Sequence, residues 1–357
     1  MSLSRWLAAL LLLAAAARTQ AAPPREVASC YGCDHRKDIK DVDDPTLLNA
    51  AQAAAVLVST SEVEPAQTRG WLRLDTVPFT SVSDGPLCRR ERFYGQPTAG
   101  FCTAFLVGPD LMATAGHCVV SRQDCAGLRV VFGFKMPGPG GDPALVPAGN
   151  VFSCKKLLAH VYNDVSDWAL FRLNRRAYGR RPLDIDRAAG SPKRGAKVSL
   201  VGYPYGLPLK SATGGRVLAK YAHYFVADLD VYAGNSGSPV IGEDGLVEGV
   251  IINGTEGDDW LASFETGADG QDVECWKSKI LARDHQTGMG ITNIGLLAPH
   301  IPLPPERRHA VCVALRRSRF NASSFAALGR AALVGGLSKV YDGAGRPVGR
   351  HQRGGVR

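Results

Sequence analysis

After its first twenty-odd residues the chain has no apolar run that reaches the roughly 20 residues needed to cross a bilayer, so no membrane span is expected in its body. It has no internal repeat. It has one C-x-x-C pair, Cys30 and Cys33, and no second to complete a paired zinc site, so no metal is expected. Ordinary disulfides to distant partners are the favoured reading of that pair, over redox or metal chemistry. The body also has no basic patch with interleaved aromatics. The formal charge is +9, but residues 306–357 alone carry eleven Lys/Arg against two Asp/Glu, and residues 1–305 sum to zero. A basic tail can touch anionic surfaces, yet no nucleic-acid partner is expected of the body.

What is present is an ordinary globular composition. Hydrophobic residues make up 45% and charged residues 21% of 357, enough for one large or two small cores. Forty Gly and 22 Pro point to many turns and few long helices. The first residues read as a secretory signal over 1–22: a positive Arg5, an apolar run from Leu7 to Ala17, and small residues at Ala21-Ala22. The mature chain is therefore expected outside the cytoplasm. Nine cysteines agree with an oxidising compartment, and the odd number leaves one over, with Cys312 the candidate.

Residues 23–65 read as an N-terminal extension leading into the first folded unit, and 66–305 as the main domain. Across that domain run short β-rich segments separated by turns: CTAFLV, RVVFGF, DWALFRL, KVSLVGYP and GLVEGVII. This is an all-β pattern, suited to a barrel or a sandwich. MPGPGGDPALVPAGN is an exposed loop. Beyond Pro305 the tail, 306–357, is rich in Arg, Gly and Ala and is expected to be partly disordered, with a possible helix over 323–333.

Three segments carry chemistry. In TAGHCV, His117 follows a β run and stands beside Cys118. A Cys102–Cys118 disulfide would fix the imidazole, as a general base requires, and a loop of that size contributes about 3 kcal/mol by the chain-entropy argument. In SDWALFRL, Asp167 opens an apolar strand, and a buried carboxylate there needs a partner such as an imidazole N–H. Asp164 is the nearby competitor and reads as a turn residue. In AGNSGSPV, glycines flank Ser236, so a tight turn can present the hydroxyl and aim the N–H groups of Gly234 and Ser236 at one point, an oxyanion hole.

TAGHC, D-W-A-L and GNSGSPV, in that order, resemble the chymotrypsin/trypsin-fold serine endopeptidases. GNSGSPV, LCRRERFYGQPTAGFC, GYPYGLPLK and the DLDVYAGNSGSPV…VEGVIING run are similar to the secreted bacterial glutamyl-endopeptidase-like, trypsin-like branch. CDHRKDIKDVDDP resembles the segment that opens their mature chain. The resemblance spans Cys30 to Pro302. It implies two packed antiparallel six-stranded β-barrels. His117 and Asp167 come from the first, Ser236 from the second, and the activity is peptide hydrolysis through an acyl-enzyme. No cofactor is implied, and the partners are protein or peptide substrates.

The resemblance also frames specificity. Asp230, six residues before Ser236, stands where trypsin-like enzymes bind Arg or Lys; it reads equally as a structural turn residue. Ile251 stands where glutamyl-specific relatives carry His, which argues against Glu preference. Lys210 and His223 are outside candidates for an acidic side chain. The strand 249–254 matches the one that pairs with substrate backbone, so Ile252, Asn253 and Gly254 join the pocket. Asn253-Gly254-Thr255 and Asn321-Ala322-Ser323 are glycosylation sequons, the second more accessible. Asn235 replaces the Asp that pairs with a new N-terminal ammonium in digestive enzymes, so maturation by that switch is not expected. A Cys125–Cys154 bridge would staple the runs around the Gly/Pro loop. The alternative function is a protease-like binding protein with weak turnover.

Overall fold

Residues 30–81, 85–163, 166–188, 192–252, 260–267, 270–283 and 288–303 are described by a computed structural model. The signal over 1–22, the tail over 306–357 with its possible helix, Cys312, Asp164, Asn253, Gly254 and both sequons lie outside the described residues.

The first long element shows how local sequence starts the fold. Asp44 caps a helix, α1 (Pro45–Ala53), by accepting the N–H groups of Thr46 and Leu47, and Pro45 supplies its first turn. The run Ala-Ala-Val-Leu-Val-Ser that follows is β-branched and apolar, and it becomes strand β1 (Ala54–Ser59), buried along almost its whole length. The next five strands are β2 (Cys102–Gly108), β3 (Leu111–Thr114), β4 (Leu128–Phe132), β5 (Val151–Asn163) and β6 (Ser166–Leu173). They close antiparallel in the order β4-β5-β6-β3-β2-β1, with β4 returning to pair with β1. Thus β1, inside the stretch read as the N-terminal extension, is a wall of the first barrel.

A second set repeats the scheme: β7 (Lys197–Gly202), β8 (Lys210–Lys220), β9 (Tyr224–Ala227), β10 (Pro239–Gly242), β11 (Val247–Ile251) and β12 (Met289–Asn293). Their order is β7-β10-β11-β12-β9-β8, and a β7–β8 pairing closes the ring. Each barrel therefore pairs its first, second, third, sixth, fifth and fourth strands in turn. This is a repeat of topology with no matching repeat of sequence. Closure leaves neither barrel with a free edge, apart from the short strand Lys37–Asp38 added beside Lys210 and Ser211. The second core is filled by Val198, Leu200, Val217, Phe225, Leu229, Val240, Ile251, Met289 and Ile291. Full burial of one such aliphatic or aromatic side chain contributes about 1.5–3 kcal/mol.

Three disulfides brace the frame. Cys102–Cys118 and Cys125–Cys154 are short-range, and Cys88–Cys275 spans 187 residues. Cys30 and Cys33 are free thiols, Cys30 buried and Cys33 exposed. This corrects the reading of that pair as disulfides to distant partners: among the described residues every other cysteine is already paired. Among the described residues no helix is long and apolar enough to cross a membrane.

Candidate active site

The site is built where the two barrels are tied together. Between strands β3 and β4, a short 3-10 turn, Gly116–Cys118, carries His117, and the Cys102–Cys118 bond pins this turn to the start of β2. Asp167 is the second residue of β6 and is buried. Its carboxylate grips His117 twice: the backbone N–H donates to Oδ1 at 3.0 Å, and ring Nδ1 lies 2.7 Å from Oδ2. Nδ1 thus carries the proton toward the carboxylate, and Nε2 is left to accept one. Gly116 permits this approach. A Cβ there would stand 2.9 Å from Asp167 Oδ1 and 3.0 Å from Trp168 N. From the second barrel, Thr292 Oγ1 donates to the Asp167 carbonyl at 2.8 Å.

Ser236 arrives on the turn 232–238, ahead of β10. Gly234 and Gly237 have φ of 86° and 87°, a region that glycine enters without cost. The turn rests on the first barrel. Thr103 donates its N–H to the Ser236 carbonyl at 2.8 Å and its hydroxyl to the Gly234 carbonyl at 2.8 Å. Cys118 Sγ lies 3.8 Å from the same Ser236 carbonyl, so the residue beside His117 touches the residue that bears the hydroxyl. Among the described residues, no hydrogen bond joins Ser236 Oγ to His117. Such bonds are often long without substrate and tighten in the complex.

The backbone of this turn divides its donors. Asn235, Gly237 and Ser238 spend their N–H groups on Tyr232, Ile251 and Asn235 carbonyls. Among the described residues, the N–H groups of Gly234 and Ser236 donate to no protein acceptor. Two unspent donors beside a hydroxyl are what a developing oxyanion requires. Asn235 is buried, with Oδ1 3.5 Å from Ser238 Oγ and, among the described residues, no partner for Nδ2.

The other sequence candidates fall differently. Asp230 is buried, and both its oxygens are taken by the N-terminal segment. Oδ1 accepts the Tyr31 N–H at 2.8 Å; Oδ2 accepts the His35 N–H at 2.7 Å and faces His35 Nδ1 at 3.0 Å. Burial raises its carboxyl above the ordinary range, opposed by the Tyr31 and His35 N–H donors. Lys210 is buried, with Nζ hydrogen-bonded to Asp38, Gln96 and the Pro208 carbonyl at 2.6, 2.8 and 2.6 Å. All three of its donors are used, leaving none for a substrate acid. Burial depresses its ammonium to about 8, against the pull of Asp38. Ile252 is buried, its N–H on Gly290. His223 is half-buried, and its carbonyl accepts the Asn293 N–H.

Sequence reasoning missed Thr103, Thr292 and the docked N-terminal segment. In that segment Arg36 is buried, paired with Asp34 at 2.8 Å and lying 4.2 Å over the Tyr232 ring.

No curated protein matches this sequence. Among solved structures the chain is similar to a Glu endopeptidase in complex with MPD, at 15% identity and TM-score 0.40, over 70% of this chain and 93% of that one. It is also similar to an inactive serine-to-alanine form of Rv3671c from M. tuberculosis H37Rv, at 18% identity and TM-score 0.35, over 64% and 88%. At these values the fold rests on the strand pairing above, not on either likeness. The trypsin-like peptidase domain family matches residues 102–250, which include His117, Asp167 and Ser236. Residues 102–250 thus match a trypsin-like peptidase domain, and the strands they contribute belong to two closed six-stranded barrels.

Proposed function

We propose that the chain is a secreted serine endopeptidase in which Ser236 is the nucleophile, His117 the general base and Asp167 its orienting partner. The observation that carries this reading is the double Asp167–His117 contact set against a serine turn with two unspent N–H groups. His117 Nε2 takes the Ser236 hydroxyl proton as the oxygen attacks a peptide carbonyl. The N–H groups of Gly234 and Ser236 hold the resulting oxyanion. Collapse expels the amine, which receives the proton from His117, and leaves an acyl-serine. Water, deprotonated by the same imidazole, releases the acid.

Secretion is supported by the three disulfides and by the signal-like first residues. For specificity, the saturated Asp230 carboxylate favours its structural reading over an Arg/Lys-binding one. The saturated Lys210 likewise argues against binding an acidic side chain. Ile252 and the strand it extends supply the pocket wall in this reading. The test is digestion of a peptide library by the mature protein and by Ser236→Ala and His117→Ala. Cleavage is expected only with the native triad, with a loss of about 10⁴-fold or more in each variant. Equal cleavage by Ser236→Ala overturns the proposal.

A further inference from the structure

At Asp230, six residues before Ser236, the N-terminal segment holds a second chain of nucleophile, imidazole and carboxylate. Cys33 Sγ lies 3.2 Å from His35 Nε2, and His35 Nδ1 lies 3.0 Å from Asp230 Oδ2. The geometry repeats that of the serine site in one telling detail. In both, the aspartate takes the histidine's backbone N–H as well as its ring nitrogen: His117 with Asp167, His35 with Asp230. The exposures also match. The histidine side chains are 29% and 26% exposed, and the carboxylates 10% and 1%. A carboxylate so placed fixes the Nδ1–H tautomer and leaves Nε2 as the acceptor for whatever faces it. At His35 the Cys33 thiol faces it, 3.2 Å away.

Cys33 differs from Cys30, its partner in C-x-x-C. Cys30 is buried against Tyr232, 3.0 Å from its hydroxyl, and burial pushes its thiol up. Cys33 is exposed and free. Arg283 reaches the same place: Nη2 lies 3.3 Å from His35 Nε2, while Nη1 is held by the Gly214 carbonyl at 2.6 Å and faces Asp228 at 3.4 Å. Arg283 thus sets a positive charge beside the imidazole that faces the Cys33 sulfur. None of these groups is needed for the serine chemistry.

We propose that Cys33, with His35 as proton acceptor and Asp230 as its orienting partner, is a reactive thiol site for disulfide substrates. The thiol proton passes to His35 Nε2, and the sulfur attacks one sulfur of a small-molecule or protein disulfide. That S–S bond breaks and a Cys33 mixed disulfide forms. The other sulfur leaves as a thiolate and takes up a proton. Cys33 is oxidised and the leaving sulfur reduced, so the exchange needs no other reactant. An oxidising compartment supplies such disulfides. Ser236 takes no part, so the inference stands or falls apart from the peptidase reading.

The experiment uses the folded, mature protein and 5,5′-dithiobis(2-nitrobenzoate) at neutral pH. The released aromatic thiolate is followed by absorbance, and the modified cysteine is located by peptide mass mapping. One fast equivalent is expected, on Cys33, at least about ten-fold faster than the same cysteine in the unfolded chain; Cys33→Ser should abolish it. His35→Gln keeps the backbone N–H on Asp230 and removes the ring acceptor. It should slow the reaction by about ten-fold, with a thermal transition that shows the fold intact. If His35→Gln unfolds the protein, Arg283→Gln replaces it, with slowing again expected. The proposal is overturned if Cys33 reacts no faster folded than unfolded, if the folded variants match the native rate, or if Cys33 is isolated in a disulfide with Cys312. A mixed disulfide with a small thiol, recovered from the untreated protein, would support it.

Discussion

Gly237→Ala is the sharpest local perturbation of the serine turn, and its cost can be built from two separable parts. The first is conformational: φ at Gly237 is 87°, where a side chain costs about 1–2 kcal/mol. The second is steric. A Cβ would fall inside contact distance of the Thr103 carbonyl and the Thr114 hydroxyl, and 3.1 Å from the Ala115 nitrogen. These groups belong to the first barrel and to the approach to His117, and two of them are backbone. They cannot swing aside, so overpacking adds about 1–3 kcal/mol. The sum is about 2–5 kcal/mol, a fall in Tm of roughly 4–20 °C for a domain of this size. Relief requires the serine turn to move away from the first barrel where it rests on Thr103, and a displacement of Ser236 near 1 Å costs about 100-fold in turnover. Gly140→Ala is the control. Its φ is 79° with nothing within 4 Å of the added carbon, so only the first part applies and activity is retained. Thermal unfolding and peptide hydrolysis are read on both variants. If Gly237→Ala loses no more stability than Gly140→Ala and keeps native turnover, the wedge reasoning is refuted.

Three further outcomes follow from the same contacts. Asn235→Asp buries a carboxylate where the amide nitrogen has no hydrogen-bond partner among the described residues, so Tm should fall by the equivalent of about 3–5 kcal/mol, and no N-terminal processing should activate it; activation dependent on cleavage would contradict this. Asp230→Asn sets an amide among three donors, Tyr31 N–H, His35 N–H and His35 Nδ1, and should cost about 1–3 kcal/mol while leaving the cleaved side chain unchanged; a collapse of Arg/Lys selectivity would make Asp230 the pocket floor instead. For Lys210, the folded ammonium titrates near 8 against its ordinary 10.5. Between those values the unfolded chain binds the extra proton, so stability rises with pH through the window and is lost as pH falls through 8. Measured against Lys210→Met, the native protein should gain about 3 kcal/mol from pH 8 to 10.5, and a flat difference would show that burial does not depress the group.

The parts of this fold legible in the sequence are those fixed by short-range pattern. Strands β2 and β6 were visible as apolar runs, and His117, Asp167 and Ser236 stand in strings whose neighbours dictate their geometry: a cysteine to anchor the imidazole turn, an apolar strand to bury the carboxylate, glycines to shape the serine turn. Cys102 and Cys118 could be matched because they flank one hairpin. Cys88–Cys275 could not, because the 187 residues between them have to fold before the two sulfurs approach. The common strand order of the two barrels was hidden for a related reason, since topology constrains which strands pair and not which side chains fill them. Asp230 illustrates the limit most clearly. Six residues from Ser236 its type fits a pocket floor, and only the position of Tyr31 and His35, some 200 residues away in sequence, shows where its oxygens are spent.

The central claim is that Ser236 is a nucleophile activated by His117. The most direct measurement is stoichiometric labelling of the folded, mature protein with a fluorophosphonate, followed by intact mass and peptide mapping. One adduct per chain on Ser236 is predicted, with labelling lost in His117→Ala while the fold persists. An unlabelled Ser236 in folded native protein, or labelling that His117→Ala leaves untouched, contradicts the account.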